Sequence, residues 1–248
     1  GLTFAGGLAA GGMRPVVALY ATFLQRGLDC VFHDICLQNL PVIICADRAG
    51  IVEDGPTHHG IYDESFLLSM PRLSVLAPKN ETELKAMLFA AYEQKTPVAI
   101  RYPRGASKIN DLPVPALEWG KAEVVRDGSD LAIWAVGREV RTALEAAGIL
   151  GCSCRIVNTR FLKPFDKELF LSDAAKMPIF TIEDNLEGAG LDSIADKLLI
   201  NAGHHGVHHF AWPADKIIPH GTQSCLREKF GMTPKAIACK IRMILERN

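Results

Sequence analysis

Arg48, Asp54, His58 and His59 are gathered in one stretch, Asp47-Arg48-Ala49-Gly50-Ile51-Val52-Glu53-Asp54-Gly55-Pro56-Thr57-His58-His59-Gly60. A guanidinium can grip a phosphate or a carboxylate with parallel hydrogen bonds. A carboxylate and an imidazole can bind substrate hydroxyls or pass protons near neutral pH. Arg104 offers a second guanidinium, in Arg101-Tyr102-Pro103-Arg104-Gly105. Two such groups at one edge point to an anionic substrate. The competing reading pairs each arginine with a neighbouring acid such as Asp47, and makes Asp54 and His58 a loop-stabilising pair. Tyr20 and Phe23 add aromatic faces that either stack on a ligand ring or belong to the core.

The elements around these residues decide whether they meet. Val42-Ile43-Ile44-Cys45-Ala46 has the length and apolar character of a buried strand, and so has Pro97 to Tyr102. Arg48 and Arg104 each follow one of these strands. Gly50, Gly55, Pro56 and Gly60 exclude a helix between Arg48 and His59. Parallel sheets place ligands outside the carboxyl ends of their strands. Arg48, Asp54, His58 and His59 are therefore expected to converge there.

Strands and helices alternate along the rest of the chain, which predicts a parallel α/β fold. A small-residue helix over 3–10 precedes a strand at Val16–Tyr20 and a helix from Phe23 to Asn39. Tyr62–Met70 is helical, Leu73–Ala77 a strand, and Asn80 with Glu83 opens a helix to about Gln94 in a capping-box pattern. Residues 106–118 hold Pro113, Pro115 and little periodicity, which sets a domain boundary between residues 1–112 and 118–248. Strands at 131–136, 153–158, 179–183 and 207–210 alternate with helices at 138–149 and 191–202. Thr233 and Pro234 open a last helix to Glu246.

The chain of 248 residues is long enough to bury a core without disulfides or metal staples. Its net charge of −1 lacks the basic excess of a nucleic-acid binder, and no apolar run spans a bilayer. Seven cysteines, with Cys152 and Cys154 as Cys-x-Cys, fit a reducing intracellular compartment. His204, His205, His208 and His209 lack a completing ligand set and read as an exposed turn and strand rather than a metal site. Gly188-Ala189-Gly190 is an incomplete phosphate loop. The stretch from Gly1 to Gly12 reads as the inside of a helix, so a longer protein is expected.

Tyr20-Ala21-Thr22-Phe23-Leu24-Gln25-Arg26, Asp47-Arg48-Ala49-Gly50, Asp54-Gly55-Pro56-Thr57-His58-His59-Gly60 and Arg101-Tyr102-Pro103-Arg104-Gly105 resemble the 1-deoxy-D-xylulose-5-phosphate synthases. So do Ile182-Glu183-Asp184-Asn185, Gly188-Ala189-Gly190 and Pro219-His220-Gly221-Thr222-Gln223. The resemblance runs almost end to end. It implies a pyrimidine-binding domain of the thiamin diphosphate type followed by a transketolase-type C-terminal domain. It implies a thiamin diphosphate and magnesium enzyme joining pyruvate to glyceraldehyde 3-phosphate with loss of carbon dioxide, in isoprenoid, thiamin and pyridoxal biosynthesis. It implies a homodimer in the cytoplasm, or in the plastid of a plant. Phe23 matches the aromatic that stacks on the cofactor. Asp54 and His58, the candidates for catalytic steps, match substrate-site positions with Tyr20 and Arg26, and Arg48 and Arg104 match the residues that hold substrate phosphate. The family's diphosphate- and magnesium-binding domain, and the glutamate that activates the cofactor, would lie upstream of Gly1, so the chain alone is expected to be inactive. Glu53 departs from a position usually small in the family, and the loop before Asp54 is one residue shorter. The alternatives are a β-type subunit of a two-chain thiamin enzyme, or an interaction module on the same fold.

Overall fold

The computed structural model describes residues 1–106, 115–203 and 206–247. The expected boundary around Pro113, and His204 and His205, lie largely or wholly outside the described residues. Strands β1 (Val16–Tyr20), β2 (Ile43–Asp47), β3 (Ser74–Leu76) and β4 (Val98–Tyr102) come from the first half of the chain. Strands β5 (Glu123–Arg126), β6 (Leu131–Ala135), β7 (Cys154–Asn158), β8 (Phe161–Lys163), β9 (Ile179–Leu186) and β10 (Val207–Trp212) come from the second. They form two sheets, ordered β1-β2-β4-β3-β8 and β10-β9-β6-β7-β5. Both interiors are parallel, as expected, because β2, β4 and β6 are apolar runs buried on both faces.

Each sheet departs from the wholly parallel expectation at one edge. β5 pairs antiparallel with β7, and β8 pairs antiparallel with β3. β8 belongs to the second half yet completes the first sheet. Its three apolar-to-basic residues are too few to show a strand pattern in sequence.

Helices α1 (Leu2–Ala10), α2 (Ala21–Leu24), α3 (Leu28–Cys30), α4 (Asp63–Ser69) and α5 (Glu81–Glu93) belong to the first half. Helices α6 (Glu139–Leu150), α7 (Lys167–Ala174), α8 (Leu191–Ala202), α9 (Gln223–Lys229) and α10 (Pro234–Leu245) belong to the second. The single helix expected over 23–39 is instead α2, a 3₁₀ turn at Gln25–Gly27, α3 and a π-helical stretch at Val31–Cys36. Gly27 causes the break. It sits at φ −112, outside helical geometry, and a side chain there would collide with Leu2 Cδ1. The chain re-registers so that α1 can pack closely. Asn80 caps α5 by accepting from the Glu83 amide at 2.9 Å, as the sequence predicts. The Glu83 carboxylate accepts from the Lys79 amide and also receives Arg160 and Asn158.

One apolar cluster joins the halves. It includes Leu24, Ile44 and Val75 from the first and Trp134, Val157 and Leu162 from the second. Among the described residues no helix is long and apolar enough to cross a membrane.

Candidate active site

Register brings the two arginines together. Tyr20 pairs with Asp47 across β1 and β2, and Asp47 pairs with Tyr102 across β2 and β4. The three strands therefore end level, and the chain leaves them at one edge through Arg48 and Pro103-Arg104. Arg48 takes a left-handed conformation, φ 59, and its amide donates to Asp47 Oδ1 at 2.8 Å. Reciprocal amide-to-carbonyl bonds between Gly50 and Gly60, 2.6 and 2.8 Å, then close the loop that carries Asp54, His58 and His59.

Both guanidinium groups face one carboxylate oxygen. Arg48 Nη1 lies 3.5 Å and Arg104 Nη1 3.7 Å from Asp54 Oδ2. These are loose pairings of groups that remain accessible to a ligand. The Arg48 guanidinium also lies 3.9 Å from the Tyr20 ring centroid, a cation–π contact. Tyr20 stacks on Phe23 at 5.5 Å, and Phe23 meets the His58 ring edge-on at 5.4 Å. Thr57 Oγ1 lies 2.9 Å from His58 Nδ1 and fixes that ring. The result is a continuous row, Arg48, Tyr20, Phe23 and His58, with Asp54 and Arg104 beside its first member. Phe23 is 43% exposed, so the aromatic is not a core residue.

His59 does not join the row. It is buried, its Nδ1 accepts from the Val52 amide at 3.1 Å, and its Nε2 faces the Ile218 carbonyl at 3.1 Å and the Pro219 carbonyl at 3.3 Å. Accepting at Nδ1 leaves the proton on Nε2, which donates to the carbonyls. Burial pushes its pKa down and keeps the ring neutral. His59 thus ties the loop to the second half. Gly55, at φ 83, closes the same junction, because a side chain there would collide with the His220 ring. Arg26 stands apart from the row, exposed in the 3₁₀ turn, with no hydrogen bond or ion pair among the described residues.

Beneath the site lies a buried ionic cluster that sequence reasoning missed. Arg101 in β4 donates to Asp63 Oδ2 at 2.8 Å and to the Asp184 carbonyl at 3.2 Å, and contacts Glu64 Oε1 at 2.6 Å. Glu64 faces Glu183, whose carboxylate accepts from the Leu191 and Asp192 amides at 2.7 and 2.8 Å. Burial pushes the Glu64 carboxyl up to about 7, although Arg101 opposes it. Burial, and then the charge of Glu64, push Glu183 well above the usual carboxylate range. The signal for this cluster was an arginine inside an otherwise apolar strand. Gly188 and Gly190, in the loop that resembles an incomplete phosphate cradle, already donate their amides to Asp192. His209 contacts Thr181 and Asp196, and no metal-binding cluster occurs among the described residues.

The family model described as "Transketolase, pyrimidine binding domain" matches residues 2–109, and "Transketolase, C-terminal domain" matches residues 120–237. A 1-deoxy-D-xylulose-5-phosphate synthase of Pelotomaculum thermopropionicum is 44% identical over 99% of the chain, and 1-deoxy-D-xylulose-5-phosphate synthase 2 of Geobacter sulfurreducens is 45% identical over all of it. The chain spans only 39% and 41% of those relatives' own lengths. Among solved structures, a split-gene transketolase described as an inactive beta4 tetramer superposes with a TM-score of 0.86 at 28% identity, over 97% of this chain and 78% of that one. Transketolase from Campylobacter jejuni superposes at 0.80 with 20% identity, over 98% of this chain and 38% of its own. The level strand ends, the row of side chains beyond them and the two matched domains agree: the chain belongs to the transketolase family as its pyrimidine-binding and C-terminal domains, and in sequence it is similar to the 1-deoxy-D-xylulose-5-phosphate synthases.

Proposed function

We propose that this chain is the pyrimidine-binding and C-terminal part of a thiamin diphosphate transferase that joins pyruvate to glyceraldehyde 3-phosphate with loss of carbon dioxide. The observation that carries the reading is the pair of guanidinium groups on one Asp54 oxygen beside an exposed aromatic row. A phosphate monoester entering between Arg48 and Arg104 gains two charge-assisted contacts and displaces only a loose carboxylate pairing. Phe23 fits the cofactor's aminopyrimidine ring, since it is 43% exposed and stacked on one side only by Tyr20. When bound, thiamin diphosphate supplies the carbanion stabilisation that decarboxylating a 2-oxo acid requires. The diphosphate and magnesium sites are assigned to residues beyond this chain. Asp54 and His58 are assigned to hydroxyl binding and proton transfer, and Arg26 and Tyr20 to the substrate's surroundings. We place the domain division between 1–112 and 118–248, and a homodimer through the apolar surface carrying Phe4, Met13 and Val16, exposed at 71%, 59% and 55%.

The test is an assay of the chain joined to a diphosphate-binding domain. Carbon dioxide release from pyruvate that depends on glyceraldehyde 3-phosphate supports the reading. Ketol transfer between sugar phosphates without decarboxylation sinks it. The split-gene transketolase match, covering 78% of that chain, favours a second reading in which this chain is a separate subunit. Intact-mass measurement from cells separates the two, because the first reading requires a chain of the synthases' length, of which these residues are about 39–41%, and a separate subunit does not.

A further inference from the structure

A cleft of about 1060 Å³ opens between the two halves on the far side of Arg104. Its size is at the upper end for sites that hold small organic ligands. Asp47 and Arg104 line both this cleft and the candidate active site, whereas Arg48, Tyr20, Phe23 and His58 do not line it. The cleft is therefore a neighbour of that site and not its interior.

Its walls mix both signs with an excess of cations: Asp47, Glu81, Glu145 and Glu228 stand among a larger set of arginines and lysines. Arg138 and Arg141, at the N-cap and in the first turn of α6, face Lys235, from the first turn of α10. Arg138 is half-buried, and its one close partner is the neutral Gln223 Oε1, at 2.8 Å. Its carboxylate neighbours, Glu139 and Asp184, are 3.7 and 3.9 Å away. Lys235 has no ion pair among the described residues. Both helices are twelve residues long and point their positive ends into the space. Arg141 is already held by Glu145 at 2.6 Å and Arg138 pairs loosely with Glu139 and Asp184, so the charge open to a ligand is that of Lys235 and, in part, Arg138. Opposite them, Leu84, Tyr102 and Pro103 supply a partly apolar wall.

We propose that this cleft is a second ligand site, taking a phosphorylated small molecule whose phosphate lies on Arg138 and Lys235 and whose organic part packs toward Tyr102. Arg104, 58% exposed, is long enough to serve either site. A ligand here would draw that side chain from Asp54 and weaken anion binding on the other side.

Isothermal titration of the 248-residue chain with ADP, inorganic pyrophosphate and adenosine tests this. ADP and pyrophosphate bind, adenosine does not, and added salt weakens both. Arg138→Ala and Lys235→Ala each reduce ADP affinity by about ten- to a hundredfold, the loss of one charge-assisted contact. Arg138→Lys recovers part of the loss. Absence of ADP binding by the folded wild-type chain overturns the proposal. So does binding that disappears in Arg48→Ala but survives in both cleft variants, a result that would place the anion on the candidate active site and so leave the proposed function standing. Lys235 is exposed, so its variant stays informative if Arg138→Ala fails to fold.

Discussion

Arg48 is one of four non-glycine residues with positive φ among the described residues, and the strain aims its side chain. That conformation costs such a residue on the order of 1–2 kcal/mol. The amide contact to Asp47 and the Tyr20 ring offset the cost and direct the guanidinium to Asp54. On the proposed function, in the chain joined to a diphosphate-binding domain, Arg48→Ala or Arg104→Ala is expected to raise KM for glyceraldehyde 3-phosphate by about ten- to a hundredfold, one or two charge-assisted bonds. Pyruvate lacks a phosphate, so its KM should change little. Equal rises for both substrates, with circular dichroism unchanged, would remove the phosphate assignment. At this scale the sequence was informative about types and poor about directions. Arg48, Asp54, Phe23 and His58 do meet, because strand ends in register bring them together. His59, adjacent to His58, turns inward, since burial and three backbone partners outweigh its polarity. Nothing in its spacing distinguished it.

Two elements near the candidate site contribute to the junction between the halves. The loop from Arg48 to Gly60 is pinned by His59 to Ile218 and Pro219. His59→Ala leaves the Val52 amide and two carbonyls without that partner, so a loss of about 1–3 kcal/mol in denaturant stability is expected. A variant as stable as wild type would show the loop to be held elsewhere. Helix α4 meets β9 through Glu64 and Glu183. Both carboxyls bind protons more tightly in the folded protein than in the unfolded chain. Their stabilisation is therefore complete below the ordinary carboxylate range and is lost as pH rises through about 7, the value for Glu64. The melting temperature should fall across that window, and Glu64→Gln should flatten the fall. A wild-type slope retained in Glu64→Gln would assign the titration to other groups. The alternation of strands and helices was plain in the sequence, as was the Asn80 cap. The break at Gly27 was not, because it depends on the approach of Leu2 from a distant helix.

The halves are less separate than their sequence suggests. A proline-bearing stretch with little periodicity reads as a boundary between two domains. Yet β8 crosses into the first sheet and covers β3, which would otherwise be a bare edge. The shared apolar cluster removes Leu24, Ile44 and Val75 from water together with Trp134, Val157 and Leu162. Arg101 reaches from the first sheet to the Asp184 carbonyl in the second. A protein made of residues 1–112 alone would expose the β3 edge and one side of that cluster, and would leave Glu64 without Glu183. We predict that this half, expressed separately, aggregates or gives a poorly dispersed amide spectrum, and that co-expression with residues 118–248 restores a soluble complex. The predicted loss follows from long-range pairing, which periodicity within one segment does not report. A well-dispersed spectrum and a cooperative melt for residues 1–112 by themselves would show that each sheet holds its own core. The second half would then act on the candidate site through local contacts such as those at His59, Gly55 and Arg101.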